Sequence, residues 1–313
     1  MTRVEQQSFY SRGKLLISGE YLVLCGALAL AVPVRFGQKM IVKKMQGSGI
    51  VTWETFVNGE KWFYSDFDLV AFNPSDYTDT ESAAFISRLL QSATKLNPGF
   101  CDGGFTYHIT SYIDYDIYWG LGSSSSLISN VAWWAGVDAY ELHAMVSKGS
   151  GYDIACARSD KPLLYRQDQG KRMVRAVDFH PHFHDKIYFV YLGQKKDTQK
   201  DVDKFLKNKQ DYSKHIKRVS EISLQLSECA SYEQFSGLIR EHEHIMATVL
   251  GDIPIKQKLF NDFRGEVKSL GAWGGDFAMV LWPDQKKDLL SYLSEKNINV
   301  VFGLNEMRYE YEF

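Results

Sequence analysis

The feature that most restricts how this chain can fold is the run Trp119-Gly120-Leu121-Gly122-Ser123-Ser124-Ser125-Ser126, which passes directly into Leu127-Ile128-Ser129-Asn130-Val131-Ala132-Trp133-Trp134. Two glycines permit a tight turn and a close backbone approach with no Cβ in the way. The apolar stretch after them reads as a buried helix. A glycine turn opening onto a helix N-terminus aims unpaired N–H groups and the positive end of the helix dipole at one point, an anion site whose usual occupant is phosphate. Serine hydroxyls there add hydrogen bonds or reach a metal ion. The plainer reading is a flexible Gly/Ser connection. Against it stand the shortness of the run, Leu121 between the glycines, and the immediate passage into a helix. The run is not a Walker A loop, because no lysine follows the second glycine. It is not a G-x-S-x-G elbow, and Ser125 occupies the third glycine position of G-x-G-x-x-G.

Three other stretches carry candidate chemistry. In Lys148-Gly149-Ser150-Gly151-Tyr152-Asp153-Ile154-Ala155 a second glycine-rich turn bears an acid. A carboxylate held there beside a phosphate site can take a proton from an attacking hydroxyl; capping the next turn is its ordinary structural use. Near the N-terminus, Lys14 and Glu20 bracket the short apolar strand Leu15-Leu16-Ile17-Ser18, which is either a pocket edge or a solvated strand end. In Gly271-Ala272-Trp273-Gly274-Gly275-Asp276 a glycine turn precedes the strand Phe277–Trp282 and lets a second segment come close to a site.

Taken in order, these stretches resemble the three motifs of the GHMP kinases (galactokinase, homoserine kinase, mevalonate kinase, phosphomevalonate kinase). Gly120-Leu121-Gly122-Ser123-Ser124 matches the phosphate loop, Gly13-Lys14 through Gly19-Glu20 the first motif, and Gly151-Tyr152-Asp153 the acidic turn of the mevalonate and phosphomevalonate branch. Four positions depart: Asp116 stands where the loop has proline, Tyr21 where many members have histidine, Trp273 where the third motif has glycine, and Asp276 is unusual there.

The resemblance implies an α+β chain of two domains. These are an N-terminal ATP-binding domain over 1–184 with the phosphate loop, and a C-terminal ferredoxin-like α/β sandwich over 185–313. It implies an ATP- and Mg²⁺-dependent small-molecule kinase acting on an alcohol or phosphate acceptor of the mevalonate or phosphomevalonate kind. Gly120, Leu121, Gly122, Ser123, Ser124 and Ser125 would hold the ATP phosphates. Ser124 and Glu141 would hold Mg²⁺, Asp153 would act as base, and Lys14 would neutralise developing charge. Glu20, Gly271, Ala272, Gly274 and Gly275 would line the substrate pocket. Two other functions fit the same motifs: a diphosphomevalonate-decarboxylase type of lyase, which needs an arginine such as Arg158 or Arg35 for a carboxylate, and a non-catalytic ATP or ligand sensor, suggested by the departures.

Composition narrows the remaining classes. The formal net charge of -2 over 313 residues, with 36 basic and 38 acidic side chains, offers no basic field for nucleic acid. Cys25, Cys101, Cys156 and Cys229 form no CxxC, so neither a zinc site nor a disulfide framework is expected. The longest apolar stretch, Leu22 to Val34, is too short to span a bilayer and contains Gly26 and Pro33. The N-terminus shows no signal-peptide core. The expectation is a cytoplasmic protein with a small-molecule substrate, no membrane or nucleic-acid partner, and room for a homodimer.

Periodicity predicts a hairpin region over 38–70 turning at Asn58-Gly59, a helix over Glu81–Leu96 capped by Thr80, and a strand over Gly104–Ile113. A short helix is expected over Asp138–Ser147, strands over Leu163–Arg166 and Lys186–Gly193, and helices over about 201–227, 231–250 and 254–269. Asp284–Lys296 reads as a helix, and Asn299–Phe302 and Met307–Tyr311 as closing strands. The alternation of elements is irregular and hairpin-rich, which favours α+β over a doubly wound sheet. His180-Pro181-His182-Phe183-His184 is not expected to bind metal, because alternate residues on a proline-containing loop do not converge on one ion. His242-Glu243-His244 lacks the spacing of H-E-x-x-H and is expected on a partly solvated helix face.

Overall fold

The computed structural model describes residues 4–309 apart from 48, 102, 194–197, 209, 272 and 274–275. The fold is α+β. The described residues fall into two compact units interleaved along the chain: one gathers 1–13, 36–117 and 122–158, the other 14–35, 118–121 and 159–313. Two long strands, β1 (Glu5–Ser18) and β2 (Ala29–Gln46), contribute residues to both.

The first unit is built on β3 (Ile50–Val57), β4 (Glu60–Asp68), β5 (Pro74–Ser75), α1 (Thr80–Leu96), β6 (Phe105–Ile113), α2 (Ser123–Ala135), α3 (Ala139–Val146) and α4 (Tyr152–Ala157). Its strands run in the order β5-β4-β3-β6-β2, with β1 on β2. The β3–β6 pair is parallel, and the β2–β6, β3–β4 and β4–β5 pairs are antiparallel. Asn58 (φ 51°) and Gly59 (φ 87°) both adopt the left-handed backbone that a tight hairpin turn requires, as the Asn-Gly pair predicted. Alternate residues of β3 and β6 (Val51, Trp53, Tyr107 and Ile109) point into a core closed by Ile86, Leu89 and Leu90 of α1 and Ile128 and Val131 of α2. The N-cap of α1 is Asp79, whose carboxylate accepts from Ser82 N–H; Thr80 is the first helical residue instead.

The second unit contains β7 (Leu163–Asp168), β8 (Lys171–Ala176), β9 (Ile187–Tyr191), α5 (Thr198–Lys207), α6 (Ser213–Glu228), α7 (Tyr232–Leu250), α8 (Ile255–Leu259), β10 (Glu266–Ser269), β11 (Phe277–Leu281), α9 (Lys286–Glu295), β12 (Val301–Gly303) and α10 (Leu304–Met307). β7 pairs with Ala29–Ala31 of β2 and with β8. The other four strands form an antiparallel sheet ordered β10-β11-β9-β12. With helices between β9 and β10 and between β11 and β12, this is the ferredoxin-like β-α-β-β-α-β arrangement, as the resemblance implied.

Four expectations in this unit need correction. The helix predicted over 201–227 is two helices, Thr198–Lys207 and Ser213–Glu228. The helix predicted over 254–269 ends at Leu259, and Glu266–Ser269 is a fully buried strand. Its charged Glu266 and Lys268 disguised it as a helix face, while Gly265 marks the true break: a Cβ there would overlap the Leu281 carbonyl oxygen of the neighbouring strand. The closing strand predicted over Met307–Tyr311 is the helical turn α10 followed by an isolated bridge from Arg308 to Val34, with 310–311 outside the described residues. Finally, His242 and Glu243 are buried in α7, not partly solvated.

Candidate active site

In the first unit the glycine turn does open onto a helix. Gly122, at φ 92°, is the N-cap of α2 and offers no side chain to its first-turn N–H groups. The first intrahelical bond runs from Ser126 N–H to the Gly122 carbonyl, so the N–H groups of Ser123, Ser124 and Ser125 precede the helix's own ladder. A 13-residue helix adds its dipole at the same end.

A buried polar network fixes where this helix end points. Ser126 Oγ donates to Gln38 Oε1 (2.9 Å), Asn130 Nδ2 donates to the Gln38 carbonyl (2.9 Å), and Ser11 Oγ donates to Asn130 Oδ1 (2.8 Å). Gln38 Nε2 in turn donates to Ser111 Oγ (2.6 Å). The hydroxyls and amides that the sequence placed within an apolar helix thus bind α2 to β1, β2 and β6. Fully paired buried networks of this kind specify one geometry, because any displacement strands a polar group.

Asp153 lies in the first turn of α4, behind Gly151 at φ 86°. Ser125 Oγ donates to Asp153 Oδ2, and Ile154 N–H donates to Oδ1 (3.1 Å). His143 Nε2 stands 3.9 Å from Oδ1. The structure therefore joins two of the predicted site residues, Ser125 and Asp153, through side chains 28 positions apart. Ser124 is exposed on the same helical turn. Glu141, the predicted metal ligand, is exposed on α3 and sits two residues before His143, about 200° round the helix from the side chain that reaches Asp153. Glu141 is thus not brought to the acidic turn, and His143 is the residue of α3 that is.

In the second unit, Lys14 Nζ donates to the Gly120 carbonyl (2.7 Å), and Lys14 N–H donates to the Leu121 carbonyl (2.9 Å). The predicted lysine is therefore tied to the glycine pair that precedes α2. Gly120 has φ 65°, and a Cβ on it would overlap the Asp276 carboxylate, so glycine is required by both backbone and neighbour. Gly271, also left-handed at φ 61°, lies near the same carboxylate. Ala272, Gly274 and Gly275, three of the expected pocket residues, lie outside the described residues.

Glu20 was expected to line the substrate pocket. Its side chain is instead 0 % exposed and salt-bridged to the equally buried Lys268 Nζ. Lys268 Nζ also donates to the Ser269 carbonyl (2.8 Å). Glu20 Oε2 is 3.4 Å from His242 Nε2, which accepts from Gly19 N–H (3.0 Å). Burial and the Lys268 charge hold the His242 pKa well below its ordinary value, so the ring is neutral. Glu243 accepts from Ser269 N–H (3.1 Å), Ser269 Oγ (3.2 Å) and Trp273 Nε1 (3.2 Å). Burial pushes its carboxyl up to about 7; Lys268 opposes the rise and Glu20 adds to it. This cluster was not read from the sequence. The one available signal was a charged residue, Lys268, inside Val267–Leu270, and its partner lies 248 positions away.

Arg158, weighed as a carboxylate holder, donates from Nε to Ser129 Oγ (3.0 Å) and from an Nη to the Ser129 carbonyl (2.9 Å), with its guanidinium over Trp133. Those bonds commit it to α2. His180 and His184 stack on each other, and no group of three or more metal-ligating side chains occurs among the described residues.

No protein-family description matches the chain, and no curated protein sequence does. Solved structures do. The mevalonate kinase of Methanococcus jannaschii is 15% identical, with a TM-score of 0.68 over 98% of this chain and 99% of its own. Phosphomevalonate kinase of Streptococcus pneumoniae, solved with phosphomevalonate and AMPPNP, is 17% identical, with a TM-score of 0.68 over 95% and 99%. Lactococcus lactis galactokinase, solved with galactose, is 11% identical, with a TM-score of 0.66 over 97% and 93%. The chain has the fold of the GHMP kinases.

Proposed function

We propose that this chain, with the GHMP-kinase fold, is a phosphotransferase that moves the γ-phosphoryl group of ATP to a hydroxyl or phosphate oxygen of a small acceptor. One observation carries the reading above the others. The uncapped N-terminus of α2 carries Ser125, whose hydroxyl holds Asp153, so an anion site and a candidate base share one turn. A fold hosts several functions, and this site is what favours transfer.

On this reading the N–H groups of Ser123, Ser124 and Ser125, with those of the Gly120–Gly122 turn, receive the phosphate oxygens. The acceptor hydroxyl attacks the γ-phosphorus, its O–P bond forms as the bond from phosphorus to the β–γ bridging oxygen breaks, and ADP leaves with that electron pair. Asp153 takes the hydroxyl proton, oriented by Ser125 and by Ile154 N–H. Lys14, tied to the carbonyl of Gly120, supplies positive charge where negative charge gathers on the transferring oxygens. The exposed Ser124 hydroxyl would hold Mg²⁺, whose charge would screen the phosphates. The branch resemblance makes mevalonate and phosphomevalonate the first acceptors to try.

The test is ADP release by the purified chain with ATP–Mg²⁺ and a panel of mevalonate, phosphomevalonate, diphosphomevalonate, homoserine and galactose, beside Asp153→Ala, with products weighed by mass spectrometry. Acceptor-dependent ADP, a product heavier by one phosphoryl group and a silent Asp153→Ala variant are expected. ATP binding without turnover on any acceptor would sink the kinase reading in favour of a sensor.

A further inference from the structure

Three helices of the first unit converge on the Asp153 carboxylate. From α2, Ser125 Oγ donates to Oδ2, and from α4, Ile154 N–H donates to Oδ1 at 3.1 Å. From α3 comes His143, whose Nε2 stands 3.9 Å from Oδ1. Asp138 starts α3 by accepting from Tyr140 N–H (2.8 Å) and Glu141 N–H (2.9 Å). Ala139, Leu142 and Val146 then recur at the spacing of one helix face and pack into the core of this unit. That packing fixes the rotation of α3, and with it the direction of His143, one residue past the fully buried Leu142. The His143 side chain is 5 % exposed, so it is no solvated surface imidazole.

A second feature holds the ring. Gly149 does not have the left-handed backbone that explains the glycine at 151. What a Cβ there would meet is the imidazole, with Nε2 at 3.3 Å and Cε1 at 3.4 Å, and Ser147 Oγ at 3.5 Å. The turn closes on the ring because residue 149 has no side chain, and Gly149 N–H donates to Ser147 Oγ (3.2 Å) to keep it there. Packing alone does not call for an imidazole at this place, since an apolar side chain of similar volume fills it with no polar group to satisfy. The carboxylate is where a further donor has an effect. The last torsion of aspartate is broad, so each donor that grips the group narrows the direction in which its remaining lone pairs point.

We propose that His143 is a positioning residue for Asp153: in the reacting complex its Nε2–H donates to Oδ1, which leaves Oδ2 to receive the acceptor's proton. The role deepens the kinase reading of this site and rests on it. Catalytic hydrogen bonds are commonly long before substrates bind and tighten in the reacting complex. Closing 3.9 Å to about 2.9 Å takes a movement of about 1 Å. His143 neither gains nor loses a proton. The acceptor's O–H bond breaks, an Oδ2–H bond forms on the lone pair that Ser125 does not occupy, and the imidazole keeps the two carboxylate oxygens from exchanging places as that proton arrives.

Steady-state kinetics of the full chain, with ATP–Mg²⁺ and the acceptor of the panel that turns over, compare the parent with His143→Leu and His143→Gln. Glutamine carries an N–H at the reach of Nε2, and leucine fills the volume without one. His143→Leu is expected to lower kcat about tenfold and to leave the KM for ATP within about twofold of the parent. His143→Gln is expected to recover kcat to within about threefold. A side chain that served only the core would show neither the split between kcat and KM nor the rescue. Equal losses in the two variants, a loss confined to the KM for ATP, or an unchanged kcat in His143→Leu overturns the proposal. Circular dichroism separates a lost fold from a lost rate. Where His143→Leu does not fold, Gly149→Val decides, because its side chain must displace the ring: a lower kcat at unchanged KM for ATP is expected, and a parental kcat overturns the role. The two failures are distinct. A parent that turns over no acceptor removes the kinase reading and the role of His143 with it. An active parent, a silent Asp153→Ala and a fully active His143→Leu leave the reading standing and remove the role alone.

Discussion

Replacing Lys268 by methionine isolates the buried pair that ties the first glycine motif to β10. Glu20 and Lys268 are both 0 % exposed, and the nearest other titratable group, His242, is neutral. Burial alone raises the Glu20 carboxyl, and Lys268 is the force opposing that rise. Without the lysine nothing offsets the burial of the carboxyl, its pKa rises further, and the folded variant favours the protonated form. An unfolded glutamate titrates near 4.3, so the proton uptake costs at most about 3.7 kcal/mol at pH 7 and about 1 kcal/mol at pH 5. The sign follows from the raised pKa. The stability associated with a protonated Glu20 is fully present below the unfolded value and is lost as pH rises toward the folded one. Lys268→Met is therefore expected to lose roughly 2–3.7 kcal/mol at pH 7, most of it regained on acidification to pH 5. Replacing both partners, Glu20→Leu with Lys268→Met, is expected to return the protein to within about 1 kcal/mol of the parent, because no buried charge remains. Urea unfolding followed by tryptophan fluorescence at the two pH values measures all three. A loss below about 1 kcal/mol at pH 7, or one that does not shrink with acid, would refute the reasoning.

Three further outcomes are expected. For Glu243, whose buried carboxyl sits at about 7, stability is full below the unfolded value near 4.3 and falls as pH rises to about 7, by up to roughly 1.4 kcal/mol per pH unit. Glu243→Gln keeps an acceptor for Trp273 and should flatten that slope in urea titrations between pH 5 and 7. Gly265→Ala places a Cβ on the Leu281 carbonyl oxygen and should cost about 1–3 kcal/mol by thermal melting; an unchanged melting temperature contradicts the register of β10 on β11. Ser125→Ala frees Asp153 from its hydroxyl donor and should lower kcat about tenfold with little change in the KM for ATP. An equal rise in KM with kcat intact would make Ser125 a phosphate contact and not an orienting group.

What the sequence disclosed was local. The Asn58-Gly59 hairpin, the glycine turn into α2, and the capped helices α1 and α3 are each decided by residues within one turn or one hairpin, and all appear where periodicity places them. The misreadings share one cause. Glu266-Val267-Lys268-Ser269 carries charges at helix-like spacing, and only the partners that neutralise it, Arg240, Lys256 and Glu20, reveal a buried strand. His242-Glu243 looked solvated for the same reason: imidazole and carboxylate are called surface residues until Gly19 N–H, Ser269 and Trp273 are known to meet them. Glu141 lies on the exposed side of α3. Spacing along the chain suggested Glu141, but the side chain of α3 that stands near Asp153 is His143.

The two units place their candidate groups by the same physical device. In the first, α2 is an apolar helix whose internal Ser126, Ser129 and Asn130 are all paired, to Gln38, Arg158 and Ser11. In the second, the turn at Gly19-Glu20 and the indole of Trp273 are held by Lys268, His242 and Glu243 in a core that apolar residues of similar volume could fill as stably. Apolar packing tolerates sliding and repacking with small losses. A buried hydrogen bond does not, because a shift of one ångström leaves a donor or acceptor desolvated and unpaired. Stability alone therefore gives no reason for these charges to be inside. Fixing the backbone of the two glycine motifs does, and the positive φ of Tyr21 and Trp273 is the strain that such fixing maintains. If Lys268→Met with Glu20→Leu restores stability yet lowers ADP release, the cluster is there for geometry; if ADP release recovers with stability, the charges serve the fold alone.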